Sequence, residues 1–253
     1  AAPANGPDIW RVLADNETED NREVTVLWET VSVDISPPRL LCGGVTMTIN
    51  TSGRVSEIFV GNVSSYRLSL GPSQHRVTVA ARNSIGRSKR NMLLVIPARS
   101  HQGPVPSQVS VRPDASRSLL VTWAVPVLAG RHSPPQGYLV EWANVSALDL
   151  GRIRWRRVSS VNTSALLTDN FQDYVRYKVS VYASTQQGEG NCSSTYTYMK
   201  QGAPVAAPRN VLTHSCSASV CDVRWDPLGI DHLHGFLTHY AIYYRPSSGD
   251  MQT

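Results

Sequence analysis

Three residues in the sequence D-H-x-H, Asp231, His232 and His234, have the chemistry of metal ligands. Neutral imidazoles one residue apart can share a metal ion. A zinc site needs at least three protein ligands, and the neighbouring Cys216 and Cys221 are lost as ligands if they are oxidised. We therefore predict a polar loop at these residues and no metal site.

The four cysteines are Cys42, Cys192, Cys216 and Cys221, too few for a disulfide scaffold. Cys216 and Cys221 bracket the four-residue turn SASV between two alternating runs. In such a hairpin the two side chains can meet, so we predict a local disulfide between them. Cys42 and Cys192 lie far apart, and the sequence predicts no pairing for them.

The sequence carries no recognisable catalytic motif. It contains no G-x-S-x-G nucleophile elbow, no phosphate-binding glycine loop and no H-E-x-x-H helix. Glu17 and Glu19 are an isolated pair of acids without a predicted cleft around them. We predict a protein that has no catalytic residues, is not an enzyme and binds no cofactor.

Six asparagines stand in the N-x-S/T pattern that accepts N-linked glycans, where chance would give about two. This excess favours the secretory pathway, and we predict an extracellular glycoprotein. The first residues do not read as a signal peptide, and no apolar stretch reaches the ~20 residues of a membrane span. We expect both ends of the chain to be cuts through a longer protein. The six acceptors are Asn16, Asn50, Asn62, Asn144, Asn162 and Asn191.

The net charge is +5, with 24 Lys and Arg against 19 Asp and Glu. A nucleic-acid-binding protein concentrates positive charge on one face or helix, so we interpret most of these charges as solvated. In GRIRWRR, three arginines share one strand face and Ile153 and Trp155 the other. Arginine stems stacking on tryptophan are one interpretation of this strand, and a glycosaminoglycan or sialylated surface is the other. The arginines are Arg152, Arg154 and Arg156.

Short strands must position all of these residues. VTVLW ends at Trp28, LLVTW at Trp123 and CDVRW at Trp225, and the spacings of 95 and 102 residues match one immunoglobulin-like sandwich. Each copy alternates apolar and polar residues and follows a proline-rich lead-in, and helical periodicity is absent. The sequence predicts an all-β protein of tandem β-sandwiches.

Further strands repeat within the units. A large ring at the centre of a strand fills the space between two sheets. We therefore predict that Trp28, Trp123, Trp225 and Tyr177 are core residues. The predicted second strands are GGVTMTI (43–49), GYLVEW (137–142) and HYAIYYR (239–245), and the later runs are HRVTVAARNSIG (75–86) and YKVSVYASTQQG (177–188).

The proline lead-in, the V-x-W strand and the Y-x-V-x-V-x-A run resemble the fibronectin type III domain over nearly the whole chain. The resemblance implies two complete domains at 4–100 and 101–201 and a truncated third at 203–253, which holds only its first three strands. The sequence departs from the pattern at His75, which replaces the tyrosine found at Tyr177. It also departs at Gly43 and Gly44, where an aromatic residue usually begins the strand.

Four longer segments resemble the membrane-proximal domains of tall class I cytokine receptors. This resemblance implies the extracellular leg of a single-pass plasma-membrane receptor, which positions transmembrane helices for Janus kinase signalling. Its partners would be a cytokine bound by upstream domains, a partner receptor chain and intracellular Janus kinases. The W-S-x-W-S signature of the cytokine-binding module does not occur, so we expect the leg and not that module. The segments are PPQGYLVEW, IRWRRVSSVNTSALLTDNF, YKVSVYASTQQGEGNCSS and GFLTHYAIYYR.

The alternative is a cell-adhesion or matrix protein built from the same domains, with weak glycosaminoglycan binding. Such a protein would favour an exposed integrin-binding loop, and no R-G-D tripeptide occurs. We therefore rank the receptor leg first.

Overall fold

Strands with one apolar face form two facing sheets between residues 9 and 96, and we call these two sheets the first unit. The computed structural model describes residues 1–18, 20–29, 43–99, 103–128, 133–147, 152–217 and 220–244. One sheet has the order β1-β2-β5 and the other β4-β3-β6-β7, with antiparallel pairing throughout. The strands are β1 (Ile9–Glu17), β2 (Arg22–Trp28), β3 (Gly44–Thr51), β4 (Arg54–Gly61), β5 (Ser65–Leu70), β6 (His75–Arg82) and β7 (Leu93–Ile96).

The second unit repeats this plan. Its sheets have the orders β12-β9-β8 and β11-β10-β13-β14. A 3₁₀ turn, Val145–Ala147, follows β10. The strands are β8 (Ser107–Pro113), β9 (Leu119–Ala124), β10 (Gly137–Asn144), β11 (Arg154–Ser159), β12 (Ser164–Leu167), β13 (Arg176–Thr185) and β14 (Gly188–Tyr198).

Each complete unit has its own core between its two sheets. Trp28 lies in the first core, and Trp123 and Tyr177 lie in the second, each less than a tenth exposed. In the second core, Trp123 meets Tyr138 edge to face at 5.1 Å between ring centroids. The predicted all-β fold of tandem sandwiches is confirmed.

The described part of the third unit is a two-stranded sheet, β15 (Arg209–Cys216) paired with β16 (Cys221–Asp226), followed by a 3₁₀ turn at Ile230–His232. The strand predicted at 239–245 is not formed over the described residues 239–244. Trp225 is only half-buried, with Tyr240 edge-on at 5.3 Å. It belongs to neither core, because among the described residues no second sheet packs against β15 and β16.

In each complete unit, a buried side-chain ring hydrogen-bonds the segment that precedes a central strand, β6 in the first unit and β13 in the second. In the second unit, the backbone N–H of Gln172 donates to Tyr177 Oη at 2.9 Å. In the first unit, His75 Nε2 donates to the carbonyl of Gly71 at 3.1 Å. A carbonyl only accepts, so in the neutral ring Nδ1 accepts from the Thr51 hydroxyl at 2.6 Å. The His75 imidazole therefore takes the place of the tyrosine and hydrogen-bonds the segment before β6, as Tyr177 does before β13.

Candidate functional site at the joint between the first two units

The outer face of the second unit's four-stranded sheet is the platform on which the first unit sits. Side chains alternate along a strand, so Tyr138 and Val140 of β10 enter the core while Leu139 and Glu141 face outward. These two outward residues are nevertheless 0% and 5% exposed. Strand β1 of the first unit covers them, which makes this joint a packed interface.

Trp10 of β1 supplies most of the apolar contact. It is buried in one cluster with Leu27 of the first unit and Leu139 of the second. Its ring lies parallel to that of Trp155 in β11, with 6.4 Å between centroids. Burying an aromatic ring is worth a few kcal/mol, so this cluster gives the joint a hydrophobic centre of its own.

Glu141 is the polar centre of the joint. Trp10 Nε1 donates to Glu141 Oε1 at 2.7 Å, and Arg11 Nε lies 2.5 Å from the same oxygen. The Arg11 guanidinium also lies over the Tyr182 ring, 5.1 Å from its centroid. A buried charge is tolerated only when it is paired and hydrogen-bonded, and here the first unit supplies both the positive charge and an N–H donor.

Arg157 forms a second polar link from β11 to β1. Its Nη2 donates to the carbonyls of Ile9 and Trp10 at 3.0 and 2.9 Å. Its Nη1 binds Glu189 Oε1 in β14 at 3.2 Å. The guanidinium therefore joins the backbone of the first unit to a carboxylate of the second.

Burial dominates the electrostatics of the two carboxylates. Desolvation raises the pKa of Glu141 above its usual value, although Arg11 and the Trp10 N–H act in the opposite direction. Desolvation likewise raises the pKa of Glu189 against the effect of Arg157. Burial also raises the pKa of the Tyr182 hydroxyl, so this ring stays neutral. Among the described residues, this arrangement joins the two units through apolar contacts, hydrogen bonds and ion pairs.

A second joint connects the second and third units through an arginine enclosed by aromatic rings. Arg176 of β13 lies 5.1 Å from the Tyr196 ring centroid, 5.9 Å from Tyr198 and 4.9 Å from Phe236 of the third unit. Tyr198 Oη donates to the Gly235 carbonyl at 3.0 Å. Such cation–π contacts are worth about 0.5–2 kcal/mol each, so this joint is also more than a linker.

The residues of the predicted polar loop take part in this second joint. The Asp231 carboxylate accepts a hydrogen bond from the Ser146 hydroxyl. The ring of His234 stacks on Tyr174 with 5.0 Å between centroids. Within the described ranges, no group of three or more His, Cys, Asp or Glu residues is arranged to hold a metal ion.

The predicted glycan acceptors are spread over both complete units. Asn62, Asn162 and Asn191 are exposed, whereas Asn50 and Asn144 are half-buried. Asn16 lies in β1, and its side chain is outside the described part of the structure.

The cysteines and arginines are placed as follows. Cys216 and Cys221 are joined in a disulfide, and Cys192 is a half-exposed free thiol. Cys42 lies outside the described residues. In β11 and just before it, Ile153 and Trp155 pack on the first unit, while the arginines on the other face are exposed; these are Arg152, Arg154 and Arg156.

Sequence reasoning did not single out Trp10, Arg11 or Glu141. Two signals were present: the first lead-in reads IWRV where the second reads QVSV, and an acid interrupts the apolar strand GYLVEW. Both are deviations from the repeat, and Trp10, Arg11 and Glu141 at these positions contact the neighbouring unit. No helix among the described residues is long and apolar enough to cross a membrane.

Comparison with known proteins identifies one matching family model and several related receptors. Residues 104–199 match the family model of the fibronectin type III domain. Over 99% of its length the chain is 28% identical to the leukemia inhibitory factor receptor of Mus musculus, of which it covers 22%. It is 26% identical to interleukin-12 receptor subunit beta-2 of Homo sapiens, over 99% of this chain and 29% of that one. It is 25% identical to interleukin-6 receptor subunit beta of Rattus norvegicus, over 98% of this chain and 26% of that one.

The chain therefore spans less than a third of the length of the curated relatives it matches. Among individual receptors, its motifs resemble interleukin-12 receptor subunit beta-2 first, with the granulocyte colony-stimulating factor receptor and the interleukin-6 signal-transducing subunit as near neighbours. The first and third of these are among the relatives above. These relatives are receptors, which confirms the prediction that the chain is not an enzyme.

Proposed function

We propose, from the premise that this chain is a class I cytokine receptor segment built of fibronectin type III domains, that it forms the receptor's membrane-proximal extracellular leg. In this role the segment holds no cytokine. It sets the distance and angle between the cytokine-binding domains upstream and the transmembrane helix downstream.

The observation that carries the proposal is the packed joint between the first and second units. Trp10 is buried against Leu139, and Glu141 is paired with Arg11 across the joint. A joint made only of linker would let the units swing, and the effective concentration of two tethered groups falls as a linker loosens. A leg with packed joints keeps the two membrane helices of a receptor pair within a narrow range of separations.

The proposed partners follow from this position. A cytokine binds the domains upstream, a partner receptor chain pairs with the assembly, and Janus kinases attach to the intracellular region. The segment lies at the plasma membrane's outer side as part of a single-pass protein. Its own contribution is mechanical, because the charged side chains of Arg11, Glu141 and Arg157 at its joint pair with groups of the two units themselves.

The test is a pair of flexible insertions in the full-length receptor on cytokine-responsive cells. Six Gly and Ser residues inserted after Arg99, combined with Trp10→Ala and Glu141→Ala, lengthen the linker and remove the packed contacts of the joint, while the same insertion after Gly53, in the exposed β3–β4 turn, leaves the units joined. We expect the first insertion to lower cytokine-induced Janus kinase phosphorylation severalfold at equal surface expression, and the second to leave it unchanged. Equal signalling from both would contradict the leg function.

The sequence beyond this segment separates the leg from an adhesion or matrix protein. A W-S-x-W-S motif upstream and a transmembrane helix downstream are expected for the receptor. A longer chain with neither would favour the adhesion protein, whose test is direct binding of the purified segment to matrix components.

A further inference from the structure

Phe59 is a large aromatic residue left in solvent on the first unit. It belongs to β4, the edge strand of its sheet, and is 60% exposed. Its ring covers the backbone of Gly44, where a Cβ would lie 2.8 Å from two ring carbons. The Arg82 guanidinium lies 6.0 Å from the ring centroid. One side of the ring is thus held against the sheet, and the rest of it meets water.

A β-bulge ends β4 between Phe59 and Asn62. Thr46 pairs with Phe59 and Val45 with Gly61, so Val60 is the extra residue. Asn62 is the first residue after β4 and follows Phe59 by three positions. Gly61 has φ +77°, a left-handed conformation that favours glycine.

The segment after this bulge is fixed to the core. The buried Trp28 donates its indole N–H to the Val63 carbonyl at 2.8 Å and its backbone N–H to the Ser64 carbonyl at 2.9 Å. Asn62, Val63 and Ser64 form an N-x-S acceptor, and Asn62 is exposed. The acceptor therefore stands at a defined place, three positions after Phe59.

We infer that Asn62 carries an N-linked glycan whose first N-acetylglucosamine packs its apolar C–H face on the Phe59 ring. This inference rests on the extracellular location proposed above. The side-chain nitrogen of Asn62 bonds to C1 of the sugar and loses a proton, while the bond from C1 to a lipid-linked pyrophosphate breaks and the pyrophosphate leaves. Packing removes apolar surface of both ring and sugar from water, which stabilises the folded unit.

The other exposed acceptors do not share this arrangement. The residue three positions before Asn162 is Ser159, and the one three positions before Asn191 is Gly188. Asn162 is thus a matched control, since it is exposed, follows a strand and has no aromatic ring at the equivalent position.

The experiment maps glycopeptides of the chain secreted from human cells and then measures thermal unfolding. We expect occupancy at Asn62, and we expect Asn62→Gln to lower the unfolding temperature of the first unit by roughly 4 °C. In a Phe59→Ala background the same substitution should cost nothing, and Asn162→Gln should cost nothing in either background. An endoglycosidase that leaves a single N-acetylglucosamine should preserve the stability, because only the first sugar contacts the ring.

Each outcome decides a different statement. A bare Asn62 in a chain glycosylated at Asn162 overturns this inference alone. A glycan at Asn62 that stabilises equally with and without Phe59 overturns the packing on the ring. A chain without any glycan, after passage through the secretory pathway, overturns the inference and counts against the extracellular leg as well.

Discussion

The indole N–H of Trp10 donates to the carboxylate of Glu141 at 2.7 Å, although the two residues are 131 positions apart and belong to different units. Arg11 binds the same oxygen. A buried carboxylate thus obtains two of its partners from the neighbouring unit, and opening the joint removes both together. Glu141 is therefore the position at which the joint can be weakened without disturbing either core.

We expect Glu141→Ala to destabilise the closed joint by about 3 kcal/mol, because removing one member of a buried pair leaves Arg11 uncompensated and Trp10 Nε1 without its acceptor. Glu141→Gln keeps an acceptor for Trp10 and should cost less. Small-angle scattering reports the opening as a larger radius of gyration, and urea unfolding reports the loss of stability. As a control, Glu57→Ala removes an exposed pair with Arg87 on the far sheet and should leave the joint closed. An unchanged scattering profile for Glu141→Ala would show that the pair does not hold the units.

The joint should close more firmly as the pH falls. Burial raises the pKa values of Glu141 and Glu189 in the closed joint, despite the neighbouring Arg11 and Arg157. In the open joint both carboxyls return to their usual value, so at intermediate pH the closed form binds more protons. Closure is therefore favoured as the pH falls from the raised pKa values towards the usual one, and this gain is lost as the pH rises through the raised values.

Scattering or interdomain fluorescence transfer between about pH 4.5 and 8 measures this effect, because this range begins near the usual pKa of a glutamate carboxyl and extends above it. The double substitution Glu141→Gln with Glu189→Gln removes both titrating groups and should flatten the profile. A joint that opens on acidification would mean that the ion pairs outweigh burial, with the opposite sign of the pH dependence.

The repeat in the sequence predicted most of the strands because each has to present apolar residues to one core. VTVLW became β2, LLVTW became β9, and YKVSVYA lies within β13. Prediction failed where the environment outside a repeat decides the outcome. The ring of Trp225 needs a facing sheet to be buried, and a pattern within β16 says nothing about that sheet.

The joint was unpredicted for a related reason. Alternation indicates that Glu141 and Leu139 face away from Trp142, but it does not indicate what lies on that side. Two surfaces that meet 131 residues apart share no local signal. The sequence showed that His75 departs from the repeat, but it did not predict the hydrogen bond from the imidazole to the Gly71 carbonyl.

The rings of Tyr177 and His75, which hydrogen-bond the segments before β13 and β6, should each stabilise their own unit. Tyr177→Phe loses one hydrogen bond from Gln172 and should lower the free energy of unfolding of the second unit by about 1 kcal/mol. His75→Ala leaves the Gly71 carbonyl without its donor and creates a cavity, so we expect a larger loss of about 2–3 kcal/mol in the first unit. Urea unfolding of each variant measures both values. Thr51→Val removes only the hydrogen bond between Thr51 and His75 and serves as the milder control. If His75→Ala left the free energy of unfolding unchanged, the ring at this position would not be needed for stability.

The two tryptophans of the V-x-W strands should differ sharply in cost. Trp123 is 5% exposed in a complete core, so Trp123→Ala should cost about 3–5 kcal/mol. Trp225 is half-buried beside Tyr240, and Trp225→Ala should change the unfolding of the second unit by less than about 0.5 kcal/mol. Thermal unfolding followed by tryptophan fluorescence distinguishes them. Equal losses would indicate that Trp225 is part of a core shared with the second unit.

The arginine face of β11 should bind heparin only weakly. Arg156 already donates to the Leu166 carbonyl at 3.0 Å, and the opposite face, with Trp155, is occupied by Trp10 of the first unit. The exposed charges of Arg152 and Arg154 are screened over about 8 Å at physiological salt. We therefore expect the protein to elute from heparin near or below about 0.15 M salt. Arg154→Ala should elute slightly earlier than the unsubstituted protein, and the control Glu57→Ala should not elute earlier. Because a strong polybasic site survives higher ionic strength, retention at about 0.5 M salt would favour a glycosaminoglycan-binding adhesion protein over a receptor leg.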